Sequence, residues 1–270
     1  MSARQGRNII RGAGALERAG WAGRISTTVC VTVAYVLAIA GAEVLGIAVD
    51  ARVGAIGHAT VLFVLLNHRL FARGLLGDVL VALALVPLLR LLSVTIGFGV
   101  AEVYQYGLVG APLLLGIAAA ACAVGSPALW ASLRRWSWLQ VPVALSGVPL
   151  GLGAYLIARP DPIDEGTLGR TAAVVALVFV FSGVTEELLF RWILQQSLAG
   201  VLGAAAPLGS TVLFAVVYLD VRPTSYAVFI VAVGLAFGVV VARTRSVLGV
   251  AIAHGLLTAG AVVVWPDLLG

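Results

Sequence analysis

Long apolar runs broken by short polar segments dominate this chain. Nine stretches read as membrane-spanning helices, at about 25–49, 53–67, 75–96, 106–124, 139–158, 171–197, 207–219, 225–241 and 247–264, because a span needs about 20 mostly apolar residues rising 1.5 Å each. The second and seventh are short for a full crossing. They are expected to be tilted, re-entrant or buried behind neighbours, which makes eight the alternative count. The predicted fold class is all-α, a polytopic transmembrane bundle of about 8–9 spans.

Composition supports the membrane as solvent: 61% of residues are hydrophobic and 11% charged, and the mean hydropathy is +1.08, far from the balance of soluble domains. Charge then orients the chain. All 17 basic residues are arginines. With the N-terminus cytoplasmic, Arg4, Arg7, Arg11, Arg18, Arg24, Arg69, Arg73, Arg134, Arg135, Arg243 and Arg245 lie inside, against Arg52, Arg159, Arg170 and Arg222 outside. Nine spans give an N-in, C-out topology. Trp130, Trp136, Trp138 and Trp265 fall near predicted span ends, where an amphipathic ring suits the headgroup layer.

These arginines flank spans and form no stripe on a soluble fold, so the expected partners are membrane lipids and no nucleic acid. Cys30 and Cys122 lie in apolar runs without a spacing partner, and neither a disulfide nor a zinc framework is expected. The basic N-terminal segment precedes an apolar run too long for a signal-peptide core, and it reads as leading into an uncleaved first helix, with Ala-Ile-Ala at 38–40 as the contrary signal. The expected location is the plasma (inner) membrane, multi-pass. An all-arginine, Ala/Val/Gly/Leu-rich composition points to a GC-rich bacterial genome.

One polar connection, ARPDPIDEGTLGR at 158–170, divides the chain. Residues 1–158 read as a basic N-terminal segment and a transmembrane scaffold, and 159–270 as a functional core with closely spaced polar residues in its helices. Within SGVTEELLFRWILQQSL, residues 182–198, Glu186, Glu187 and Arg191 interrupt an apolar helix. Each ionisable group deep in a bilayer costs at least about 2.5–3.5 kcal/mol on insertion scales, so such groups mark function by default. A buried stabilising network is the bland alternative. Glu187 and Arg191, at i and i+4, share a face and are expected to pair, while Glu186 points about 100° away and is left free. Later spans add Phe214 and Tyr218, and His254 and Thr258, each also at i and i+4. A carboxylate and an imidazole facing one cavity can hold and deprotonate a water, as peptide hydrolysis requires.

The succession EELLFR, FAVVY and SVLGVAIAHGLLT resembles the three motifs, EExxxR, FxxxH and HxxxN, of the CAAX protease and bacteriocin-processing enzyme (CPBP, or Abi) family, over about residues 139–264; the earlier ALALVPLLRLLS is similar to N-terminal helices of bacterial members. The resemblance implies a glutamate-dependent intramembrane endopeptidase acting on a membrane-associated peptide or protein. Glu186 would activate water, Glu187, Arg191 and Phe214 would support the motif structurally, and His254 would position water or stabilise the intermediate. Two positions depart from the pattern: Tyr218 stands where the second motif has His, and Thr258 where the third has Asn. A phenol is a poor base and metal ligand at neutral pH, and a hydroxyl cannot replace both groups of an amide. The catalytic set is therefore Glu186, His254, Tyr218 and Thr258, with the last two as auxiliary hydrogen-bonding groups.

No cofactor is expected. One histidine and one free carboxylate fall short of the three protein ligands of a catalytic zinc, while His58 and His68 read as a polar core residue and a boundary residue. The alternative function is an inactive family member that keeps the cavity to bind a membrane peptide, lipid or partner protein. A transporter is the third class, with Arg90 beside Pro87 its only support, and packing or snorkelling explains that pair equally well.

Overall fold

In the computed structural model the described residues are 27–96, 102–160, 168–219 and 224–269, and among them every regular element is helical. The helices are α1 Thr27–Ala48, α2 Ala51–Phe71, α3 Gly74–Ile96, α4 Glu102–Val124, the short α5 Pro127–Arg134, α6 Gln140–Ala158, α7 over residues 168–202, α8 Ala206–Val217, α9 Thr224–Thr244 and α10 Leu248–Leu269. The arginines before residue 25, the acidic residues of the long connection, Asp220 and Arg222 lie outside the described residues.

Eight stretches among the described residues are long and apolar enough to cross a membrane, and the chain is a multi-pass integral membrane protein. The short second span of the sequence reading is a full 21-residue helix. Asp50 caps its N-terminus by accepting from the Arg52 amide at 2.8 Å, and its polar last turn, with Asn67, His68 and Arg69, stays helical. The short seventh is short in fact. Thr171–Val217 is one apolar stretch of 47 residues, but Gly203, at φ 55°, ends α7, and the 12-residue α8 turns back from it. At 1.5 Å per residue α8 rises only about 18 Å, too little to cross.

Pairwise contacts fix the relative directions of several helices. Glu43 meets His58 and Gly46 meets Gly54, so α1 and α2 are antiparallel. Ser210 donates to the Phe190 carbonyl at 2.7 Å and Tyr218 reaches Glu186, which sets α8 antiparallel to α7. The Gln195 amide donates to the Gly238 carbonyl at 2.9 Å, and Arg191 lies against Gly234, so α7 and α9 run in parallel. Gln140 Oε1 accepts from the Gly249 amide at 2.8 Å, which ties the starts of α6 and α10 together.

Lipid tails are as apolar as the side chains, so helix association relies on close packing through small residues. Gly147 and Gly151, four apart on α6, lay their backbone on Ala253 and Leu257 of α10; a Cβ on Gly151 would come within 2.8 Å of the Leu257 carbonyl oxygen. On the opposite side, Gly183 of α7 abuts Gly255 and the backbone of His254. The span containing α10 is accordingly the most buried of the eight. Outward, Leu37, Ile56, Phe63, Leu115 and Val228 are largely exposed, as expected of a lipid-facing surface.

Candidate active site

Helix α7 departs from α-helical winding on both sides of its acidic pair: π-helical turns cover Phe179–Val184 and Leu188–Leu194, with Thr185–Glu187 α-helical between them. Such wide turns free backbone groups and often occur at functional sites. Here they are satisfied locally. The Thr185 hydroxyl donates to the Val180 carbonyl at 2.8 Å, and Ser210 supplies the donor for the carbonyl of Phe190.

The two glutamates have different surroundings. Glu187 and Arg191 are both fully buried, with Arg191 Nη1 3.3 Å from Glu187 Oε1, as the i, i+4 spacing predicts. The guanidinium stacks over the Phe214 ring, 4.5 Å from its centroid. Gly234 makes room for it, since a Cβ there would lie 2.8 Å from Nη2. Phe214 in turn meets Tyr218, His254 and Phe190 edge-on, with centroids 5.1, 5.7 and 5.0 Å away. The first-motif pair and the phenylalanine form a packed base beneath the site.

Glu186 points elsewhere, as expected, but it is not free. Tyr218 donates its phenolic proton to Glu186 Oε2 at 2.6 Å, a short charge-assisted geometry, and Ser182 approaches the other oxygen at 3.4 Å. His254 lies between the two carboxylates. Its Nδ1 is 2.8 Å from Glu187 Oε1, so Nε2 is the nitrogen left toward Glu186 Oε2, 3.9 Å away. The sequence reading paired this histidine with Glu186 alone; Glu187 is its closer partner. Thr258 uses its hydroxyl within its own helix, donating to the His254 carbonyl at 3.0 Å.

Glu186, Tyr218, His254 and Thr258 line one cavity of about 300 Å³. Its walls include Leu113, Phe181, Ile230 and Leu257, and Arg90, Ser93, Gln105 and Tyr106 add polar groups from α3 and α4. All seven residues singled out from the three motifs are therefore within one neighbourhood, four on the cavity and Glu187, Arg191 and Phe214 behind it. Among the described residues no three His, Cys, Asp or Glu side chains converge as a metal ion requires.

A second buried charge cluster has no counterpart in the sequence reading. Arg90 grips Glu43 with Nε 2.7 Å from Oε2 and Nη2 2.5 Å from Oε1, and His58 Nε2 is 3.1 Å from the same carboxylate. The three residues are buried and join α1, α2 and α3. Arg90 borders the Glu186 cavity from this cluster. This buried pairing explains Arg90 without a transport path. His58 is the core residue expected of it, and His68 bonds the Tyr35 hydroxyl at 2.9 Å.

The described helices thus form a membrane bundle around a cavity that Glu186, His254 and Tyr218 line. Residues 169–260, about a third of the chain, match the family model of type II CAAX prenyl endopeptidase Rce1-like proteins. Over this segment the chain is similar to that family, in keeping with the resemblance of its motifs to the CPBP group. No curated protein and no solved structure matches the chain.

Proposed function

We propose that this protein is an intramembrane endopeptidase of the plasma (inner) membrane in which Glu186 activates water for attack on a peptide bond of a membrane-associated substrate. The observation that carries this reading is the convergence of Glu186 and His254 Nε2 on one cavity. The match of residues 169–260 to the Rce1-like family model supports the class of reaction. A water between the carboxylate and the imidazole gives its proton to Glu186 while its oxygen bonds to the scissile carbonyl carbon, whose oxygen takes up the displaced electron pair. Collapse of that tetrahedral species breaks the C–N bond, and the proton held by Glu186 passes to the departing amine. Glu187, anchored by Arg191, fixes the imidazole through Nδ1, in the manner of carboxylate-oriented histidines. Tyr218 holds the Glu186 carboxylate in register.

A second reading has its own observation. The two substituted motif positions spend their hydroxyl protons internally, Tyr218 on Glu186 and Thr258 on the His254 carbonyl. Neither is left as an oxyanion donor, and losing one such donor costs about 10²–10³ in rate. On this reading the protein binds a membrane peptide, lipid or partner without cutting it. Purified protein in liposomes with a library of membrane-anchored reporter peptides separates the two. The peptidase reading expects cleavage that Glu186→Ala abolishes and that Tyr218→His with Thr258→Asn increases. Cleavage that survives Glu186→Ala removes Glu186 as the base. Absence of cleavage, with peptide or lipid binding weakened by Glu186→Ala, establishes the binding reading.

A further inference from the structure

The spans α4 and α6 are joined at one membrane boundary by α5 and residues 135–139, and this connection has two unlike faces. Its inner face is fastened to α7. Leu129 and Ser132 are buried, Trp192 Nε1 donates to the Leu129 carbonyl at 2.7 Å, and Gln196 Nε2 donates to the Ser132 hydroxyl at 3.0 Å. Trp130 meets Trp192 edge-on with centroids 5.2 Å apart. A helix of 8 residues is too short to persist by itself, so these contacts keep α5 folded against the bundle and fix what its other face presents.

That outer face combines indole rings with positive charge. Trp130, Trp136 and Trp138 are 38%, 56% and 84% exposed, and Arg134 and Arg135 are exposed beside them. Pro127, Trp130, Ala131, Arg134, Arg135 and Trp136 line an open groove of about 570 Å³. No aspartate or glutamate occurs between Glu102 and Asp161, and neither guanidinium has an ion-pair partner among the described residues. Two adjacent cations therefore sit between tryptophans at the level where two spans end, with their donors turned to the surroundings.

We infer that this groove binds the headgroup of an anionic phospholipid, with the phosphate between Arg134 and Arg135 and the start of the acyl chains along Trp130 and Trp136. The planar fork of a guanidinium matches phosphate oxygens in pairs, and basic residues at the membrane surface attract anionic lipid. Indole rings suit the headgroup layer, where the apolar body meets acyl chain and the N–H meets water. A free phosphate offers nothing to the rings, and an acidic protein segment offers carboxylates but no acyl chain to lie along them. The groove shares no residue with the Glu186 cavity, so this inference stands apart from the peptidase reading.

Native mass spectrometry of the delipidated full chain, released from a neutral detergent, tests it with dioleoyl phosphatidylglycerol and dioleoyl phosphatidylcholine as probes. The first phosphatidylglycerol is expected to bind about 10-fold or more tightly than the first phosphatidylcholine. Arg134→Gln with Arg135→Gln removes that preference, whereas Arg73→Gln with Arg243→Gln, which takes the same charge from other exposed positions, keeps it. A second readout needs no arginine variant. With Cys30 and Cys122 replaced by alanine, alkylation of Ala131→Cys, an exposed position in the groove, is slowed about 10-fold by phosphatidylglycerol in mixed micelles and unchanged by phosphatidylcholine. Equal affinity for the two lipids overturns the inference, as does a preference that survives Arg134→Gln with Arg135→Gln or falls equally in the control pair. An Ala131→Cys thiol that phosphatidylglycerol leaves unprotected also overturns it. So does displacement of phosphatidylglycerol by millimolar inorganic phosphate, which would mark a free-anion site, or by an oligoglutamate peptide, which would mark a docking site for acidic protein.

Discussion

Replacing Arg191 with leucine probes the base on which the site is built. Arg191 and Glu187 have no exposed side-chain surface and are 3.3 Å apart. Without the guanidinium, Glu187 Oε1 retains only His254 Nδ1, and Oε2 has no hydrogen-bond partner in the protein. Stranding one member of a buried ion pair costs about 3–5 kcal/mol, equivalent to a Tm fall of about 6–20 °C at about 2–4 °C per kcal/mol. Glu187→Leu leaves the guanidinium with only the Phe214 and Phe190 rings for its charge and carries a cost of the same order. If the pair is the cause, the double variant Glu187→Leu with Arg191→Leu loses less than the sum of the single losses, by about 2 kcal/mol or more. Thermal unfolding of the four proteins in one detergent completes the cycle. Single costs that add to within about 0.5 kcal/mol refute the pairing, as does an Arg191→Leu protein that melts with the native one.

Tyr218→Phe removes the 2.6 Å bond to Glu186, worth about 1.5–3 kcal/mol for a charged acceptor. Reporter cleavage is expected to fall about 10- to 150-fold in kcat/KM, with little change in melting temperature; unchanged kinetics would show that the phenol does not hold the base. Gly183→Ala places a Cβ against the backbone of Gly255 and His254. Overpacking of about 1–3 kcal/mol should lower the melting temperature and separate His254 from Glu187, and a melt indistinguishable from the native protein would show that this helix contact has slack.

What the sequence disclosed follows the range of the interactions involved. Hydropathy gave the spans because burial in lipid is written into every residue of a helix, and the Glu187–Arg191 pair was readable because i, i+4 geometry is local. The convergence of α7, α8 and α10 came from the family motifs. Glu43 escaped notice because its partners are 15 and 47 residues away, beyond any helical repeat. The π-helical turns around Glu186 have no periodicity signal, since they depend on donors such as Ser210 from another helix. Glu186 was expected to be free because its helical position turns it about 100° from the face that Glu187 and Arg191 share; the reach of Tyr218 across to its carboxylate is a tertiary fact. The same holds for His254, whose Nδ1 contact to Glu187 depends on how closely Gly183 and Gly255 let α7 and α10 approach.

On the proposed reading, Glu186 delivers water to a peptide bond. Cleavage of a membrane-anchored reporter by the purified protein in liposomes, run in heavy-oxygen water and read by mass spectrometry, tests it most directly. One heavy oxygen is expected in the new C-terminal carboxylate, with loss of that product in Glu186→Gln while the variant still folds. Product formed equally by Glu186→Gln, or a new carboxylate without the label, would contradict it.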